Sequence, residues 1–271
     1  MVALSKQPIK RNCGAGRQTG KAAKKVRKEP LTRETDRGKK GWEKHVSKME
    51  LLSSDKHATV RAVAAERTVG SFVRVVLDEI VMAAASCPLL LSKHAETGAF
   101  YIGALMGFKE RELLIERPDG KPSFLPMEWD REGFFAVGEH IALDRDSRRF
   151  AEDQGELLFD QHGQPTPSLT AAQRALGRLI SASAGTDLFI AELVAHRLIE
   201  PIDISLSFDD GERLRLDGLY TVSLDAIADL DDASSLRLLR AGHLQIAYAM
   251  SASLQHIALM SRRRNEHLVS V

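Results

Sequence analysis

Cysteine is scarce in this chain: 271 residues carry two, Cys13 and Cys87. Two thiols cannot build a disulfide framework, which suits a reducing compartment. Long apolar runs are also lacking. The longest, Ile80 to Leu91, is interrupted by Ser86 and Pro88 and falls short of the roughly 20 residues of a spanning helix. An integral membrane protein is excluded. No continuous apolar stretch follows the basic N-terminus, so a secretory signal peptide is not expected and a cytoplasmic location is. The nine histidines include no close ligand pair, so no metal and no other cofactor is expected.

The motifs of common chemistries are absent too. The stretch Ala15 to Ala22, AGRQTGKA, has alanine where a phosphate loop needs its first glycine and again where it needs a hydroxyl. His94-Ala95-Glu96 lacks the Pro-Cys-x-x-Cys partner of a zinc deaminase. Asp144-Arg145-Asp146 starts like a calcium loop but has no glycine at the sixth position and no acid at the twelfth. No Gly-x-Ser-x-Gly elbow occurs, and neither cysteine sits in a nucleophile context.

What is present is an asymmetry of charge. Residues 1–50 hold 15 Lys/Arg against 5 Asp/Glu, whereas the other 221 residues hold 23 against 32. Residues 1–48 contain few large apolar side chains and read as a disordered basic tail upstream of a natural start at Met49. A basic tail can hold phosphates, but a solvated appendage is the simpler reading, and nucleic acid is not expected as a partner. Residues 49–264 read as one α+β domain and residues 265–271 as a short C-terminal tail.

Within that domain, short strands come first. Thr59–Val69, Phe72–Val76, Leu89–Ser92, Phe100–Met106, Glu112–Glu116 and Gly138–Leu143 are rich in β-formers and separated by turn residues. Leu77–Ser86 reads as one short helix, and Pro122–Phe135, which holds Trp129, as irregular. Helices follow. Leu169, Ala172, Leu176, Leu179 and Ile180 form a helical stripe that Gly185 is expected to stop, with Thr170 and Gln173 as its capping box. Asp187–Leu198 makes a second helix. Ile202, Ile204, Leu206 and Phe208 alternate with polar residues, turn at Asp210-Gly211, and return through Leu214 and Leu216 as a hairpin. Ser223 caps a short helix, and Asp232–Ala241 and His243–Arg262 close the chain. Antiparallel strands in the first half and a late hairpin, packed with C-terminal helices, give an α+β fold.

Four residues combine charge with a place at a strand end or in an irregular segment: Lys93, Arg131, Asp144 and Arg148. A rigid scaffold presents side chains from such places, and an arginine fork suits a carboxylate or phosphate. They are the candidate ligand-binding residues. Glu128, Asp130 and Glu132 flank Trp129 and Arg131, so acid–base work by paired carboxylates is the competing chemistry; no residue is assigned as catalytic.

Ordered pieces along the chain resemble one family. They are Met49-Glu-Leu-Leu-Ser-Ser-Asp-Lys-His57, Cys87-Pro-Leu-Leu-Leu-Ser-Lys93, Thr97-Gly-Ala-Phe100, Ala104-Leu-Met-Gly-Phe108, Phe124-Leu-Pro126 and Arg131-Glu-Gly-Phe134. Leu143-Asp144 with Arg148, Gly155-Glu-Leu-Leu-Phe-Asp160, Gly163, Leu198-Ile-Glu-Pro201, Asp210-Gly211, Asp217-Gly-Leu-Tyr-Thr221 and Ala252-Ser-Leu254 continue the order. From Met49 to about Asn265 the chain resembles the SapC family, named after a component of a bacterial surface-layer locus. Gly133 stands where that family carries proline, Phe124 where it carries tyrosine, and Gly120-Lys121-Pro122 where a tryptophan is common. The resemblance implies an accessory or binding protein linked to the surface layer or to outer-membrane uptake. Expected partners are a peptide or small-metabolite ligand and components of surface-layer or TonB-dependent receptor systems. The alternative it leaves open is an enzyme modifying a peptide or small metabolite beside halogenases and such receptors.

Overall fold

The longest strands pair through a hairpin whose alternation places one face inward. The computed structural model describes residues 2–6, 49–63 and 71–269 of the chain, the first of these by backbone alone. Strand β11 (Ile199–Ser207) returns as β12 (Arg213–Val222) through a loop in which Gly211 has a φ of +86°. Ile204 and Leu206 are fully buried, Leu214 packs against the same core, and Ser205, Arg213 and Arg215 are exposed. The expected facing of the hairpin is therefore the observed one.

Around this hairpin a six-stranded sheet assembles in the order β1-β11-β12-β5-β6-β4. Its other members are β1 (Val2–Lys6), β4 (Phe72–Arg74), β5 (Leu89–Lys93) and β6 (Phe100–Leu105). Val2–Lys6, counted with the tail on composition, instead pairs antiparallel with Ile202–Leu206. An open sheet edge accepts any strand that can supply backbone partners, and composition does not register that. Residues 7–48, the rest of the expected tail, lie outside the described residues. Ile102 to Leu105, on both alternating faces of β6, are buried.

Two three-stranded sheets build a smaller region. One has the order β2-β8-β7 (Met49–Leu51, His140–Asp144, Phe134–Val137), the other β10-β3-β9 (Glu156–Leu157, Arg61–Ala62, Phe150–Ala151). Of the expected strand Thr59–Val69, two residues pair as β3 and residues 64–70 lie outside the described residues. Glu112–Glu116 is not a strand: its one ladder contact is an isolated bridge from Glu116 to Pro122. The Leu114 N–H donates to the Met106 carbonyl at 2.8 Å, the Ser123 N–H to the Ile115 carbonyl at 2.9 Å and the Arg263 guanidinium to the Leu114 carbonyl at 2.9 Å. Single contacts and not a ladder therefore hold the buried Leu114 and Ile115.

The helical corrections are larger. Leu77–Glu79 is a 3-10 turn leading into α1 (Ile80–Ala84), and Met127–Asp130, within the segment read as irregular, forms α2. Gly185 does not stop a helix: α3 runs unbroken from Pro167 to Ala195. Its stripe continues beyond the glycine through Phe189, Ile190 and Leu193, all buried, and that burial outweighs the roughly 1 kcal/mol helix cost of one glycine. Nor do Thr170 and Gln173 cap it. The preceding residue is Thr166, and its hydroxyl donates to the Leu157 carbonyl at 2.6 Å. Ser223 does cap α4 (Leu224–Ala228). After α5 (Asp232–Arg240), the expected last helix is two, α6 (His243–Ser253) and α7 (His256–Val269), broken at Leu254-Gln255; α7 takes in residues expected as a tail.

The large sheet and helices α1 and α4–α7 enclose one core; Val60, Phe134, Leu143, Leu158, Leu169, Ala172 and Leu176 belong to a second. Helix α3 contributes its first turns to the second core and its last turns to the first. Between them Val76, Met127, Ala175 and Ala182 make a small third cluster.

Candidate functional site

Helix α2 has only four residues, and a fragment that short does not hold itself. It is held by Glu79. This buried carboxylate accepts the Met127 N–H at 2.8 Å and the Val76 N–H at 3.1 Å, tying the start of α2 to the turn before α1. Burial pushes the Glu79 carboxyl above its ordinary 4.5, opposed by those two hydrogen bonds and by the charge of Arg178. Met127 then packs on α3 through the third cluster. With the inner face of α2 so used, Glu128 and Arg131 stand together on its outer face at i, i+3 spacing.

Arg131 is fixed from three directions. Its Nε donates to Glu128 Oε2 at 2.9 Å, its Nη2 to Glu128 Oε1, and its Nη1 to the Phe134 carbonyl at 3.3 Å. The guanidinium also lies 5.3 Å from the centre of the Phe135 ring. Burial lowers the Arg131 pKa, and the neighbouring positive charge of Arg74 lowers it further. Arg74 is the outward residue of β4, after buried Val73, and makes no ion pair with a described residue. Opposite it in β6 is Gly103, where a Cβ would lie 2.4 Å from the Phe72 ring. Glycine there lets Phe72 lie flat beside the site.

Two adjoining clefts share Arg74, Glu128, Arg131 and Phe135. The first, about 330 Å³, has an apolar wall of Val76, Leu176, Leu179 and Ile180. The second, about 380 Å³, is bounded by Phe72 and Trp129. A fixed cation beside a second one that makes no ion pair with a described residue, at the mouth of an apolar cleft, is suited to holding an anion attached to an apolar group.

Of the four candidate residues, Arg131 lines both clefts. Lys93 ends β5 on the large sheet, its Nζ 4.7 Å from the Phe100 ring centre and 5.0 Å from that of Tyr220. Asp144 ends β8, where its carboxylate accepts the Asp146 N–H at 3.1 Å. Its own N–H donates to the Gly133 carbonyl, which brings it to the backbone beside Arg131. Arg148 is exposed in the loop between β8 and β9, and neither it nor Asp144 nor Lys93 lines the two clefts. Sequence reasoning missed Arg74 and the α3 wall. The available signals were the outward place of Arg74 in Phe-Val-Arg-Val-Val and the i, i+3 pair Glu128–Arg131.

A second charged cluster serves the fold. Arg264 bonds Glu112 at 2.9 Å and Glu212 at 2.7 Å, lies 4.0 Å from the Phe208 ring centre, and shares Glu212 with Lys109. These contacts clasp the 108–112 loop and the hairpin turn to α7. Cys87 is buried, its thiol pushed up to about 12 by burial, and it donates to the Ala83 carbonyl. Cys13 lies outside the described residues. Among the described residues no group of three or more His, Cys, Asp or Glu is placed to hold a metal ion, and no helix is long and apolar enough to cross a membrane.

The molecule is thus an α+β protein of antiparallel sheets and packed helices with an arginine-bearing cleft between its two cores. The chain belongs to the SapC family: the family model described as SapC matches residues 52–260, a span that includes both cores and the whole cleft. No curated protein and no solved structure matches the chain.

Proposed function

We propose that this protein is a non-catalytic binding accessory of a bacterial surface-layer or outer-membrane uptake system. It acts from the cytoplasm, and its ligand, a peptide or small metabolite, docks in the cleft at Arg131. The observation that carries this reading is the rigid Arg131–Glu128 pair beside Arg74, which makes no ion pair with a described residue, at the opening of an apolar cleft. Family membership supports the link to the cell surface through the locus that gave the family its name. An enzyme using Trp129, Arg131, Asp144 and Arg148 together would need them around one pocket. Trp129 and Arg131 line the second cleft without Asp144 or Arg148, which favours binding over catalysis.

The test is retention of small molecules and peptides from an extract of the native cell, read by mass spectrometry. The wild-type protein should retain a ligand that Arg131→Ala loses, because the variant removes a cation from the cleft and leaves the Glu128 carboxylate there without its partner. Equal retention by a folded Arg131→Ala variant would remove the cleft from consideration. Recovery of the ligand in chemically altered form would replace binding by the enzyme reading. For the surface role, deleting the gene should reduce surface-layer protein on the cells or receptor-dependent uptake, and unchanged levels of both would refute it.

A further inference from the structure

We propose that the first cleft takes a carboxylate carrying an aliphatic chain, with its head on Arg74 and its chain along Val76, Leu176, Leu179 and Ile180. This rests on the reading of the cleft as the ligand site. The head belongs on Arg74 because the Arg131 fork is already filled by Glu128 and the Phe134 carbonyl. Among the residues lining this cleft two guanidinium groups face one carboxylate, Glu132 lining only the adjoining cleft, and the Arg74 charge makes no ion pair with a described residue. A single negative charge balances it, whereas a doubly charged head would be repelled by Glu128. The like charges of Arg74 and Arg131 oppose each other, and an anion between them relieves that repulsion.

The chain follows from the wall. Leu176, Leu179 and Ile180 are spaced i, i+3, i+4 on α3 and present one continuous apolar strip. Ile180 is 56% exposed, so apolar surface remains for a ligand to cover. Ser183 is the only polar α3 side chain that lines the cleft. A volume of about 330 Å³ sits at the small end of ligand pockets, which suits a short chain rather than a folded partner.

Trp129 lines the adjoining cleft and reports on it. In full-length protein carrying Trp42→Phe, it becomes the sole tryptophan. Decanoate, below its micelle concentration, should change Trp129 fluorescence saturably, with 1-decanol and acetate each weaker by about tenfold or more. Arg74→Ala should weaken decanoate by a similar factor, Arg74→Lys by less, and Ile180→Asp should abolish binding. Both positions face solvent, and circular dichroism checks the fold. Decanoate binding that ignores Arg74→Ala, or equals that of decanol, overturns the proposal. A trileucine peptide with a free C-terminus separates the two sources of such a group: binding sensitive to Arg74→Ala supports the carboxylate from a peptide instead of an acyl chain. If decyl phosphate binds with that sensitivity while both carboxylates fail, the carboxylate assignment falls and the cleft remains the site. If none of the three binds, both fall.

Discussion

The large sheet and the small region reach comparable burial by different means. In the first, β11 and β12 pair over most of their length through a local hairpin, and alternation alone puts Ile204 and Leu206 at full burial. In the second, β3, β9 and β10 have two residues each, below the usual length of a strand. Single contacts hold them instead. Asp160 accepts the His162 and Gln164 N–H groups at 2.8 Å, buried His57 bonds Glu50 at 3.2 Å, and Phe134 meets Phe150 edge-on at 5.0 Å. Periodic elements tolerate the loss of one contact, whereas a region made of single contacts depends on each. Helix α3 spans both regions, and the cleft lies at its middle, where neither core fills the space.

The largest expected effect tests whether these regions unfold together. Phe134→Ala should cost about 3–5 kcal/mol and Leu206→Ala about 2–5 kcal/mol, each lowering one shared transition because α3 belongs to both cores. Denaturant unfolding read alongside hydrogen exchange decides it. If Phe134→Ala leaves the β11–β12 amides as protected as before, the two regions are separately cooperative and the comparison is sharper than drawn. Next comes Gly133, whose φ of +79° and close approach to Phe150, 2.7 Å from an added Cβ, demand glycine. Gly133→Ala should cost about 1–3 kcal/mol. Gly133→Pro should cost more, since proline cannot adopt positive φ. An unchanged midpoint for the proline variant would refute this account of the family departure at that position.

Acid titration distinguishes the carboxylate that holds α2 from the one in the hairpin turn by sign. Glu79 is held above its ordinary value by burial, so the folded state keeps its proton to higher pH than the unfolded chain. Its contribution to stability therefore declines as pH rises from about 4.5 through the raised value, and Glu79→Gln should flatten that decline. Glu212 is held below its ordinary value, first by the Lys109 hydrogen bond and then by Arg264. Its contribution is complete above the ordinary carboxylate range and fades as pH falls through the lowered value, so Glu212→Gln should matter at neutral pH and not in acid. Parallel pH–stability curves for wild type and either variant would contradict the corresponding assignment. The smallest effect is on a rate. With Cys13→Ser in place, the Cys87 thiol should resist a thiol reagent at pH 8 until the protein is unfolded, because a group pushed up to about 12 offers almost no thiolate.

The site was legible in part for related reasons. Arg131 is singled out because an irregular segment on a rigid scaffold presents its side chain, and it does line the clefts. Grouping it with Lys93 failed to anticipate that Lys93 would settle over Phe100 and Tyr220 on the other sheet. Arg74 sits in an ordinary strand pattern, and only the approach of α2 gives it a role. That approach depends on Glu79, 48 residues away from its partner Met127.

What the sequence by itself determined is whatever repeats within a few residues. The β11–β12 facing, the Asp210-Gly211 turn and the Ser223 cap each follow from local stereochemistry and side-chain period. The tertiary structure decided the continuity of α3 through Gly185, the pairing of Val2–Lys6 with β11, and the break between α6 and α7. It also decided that Arg74, Glu128 and the α3 wall should meet. In each of these the deciding free energy comes from burial or pairing between residues far apart in the chain, and local preferences of about 1 kcal/mol per residue yield to it.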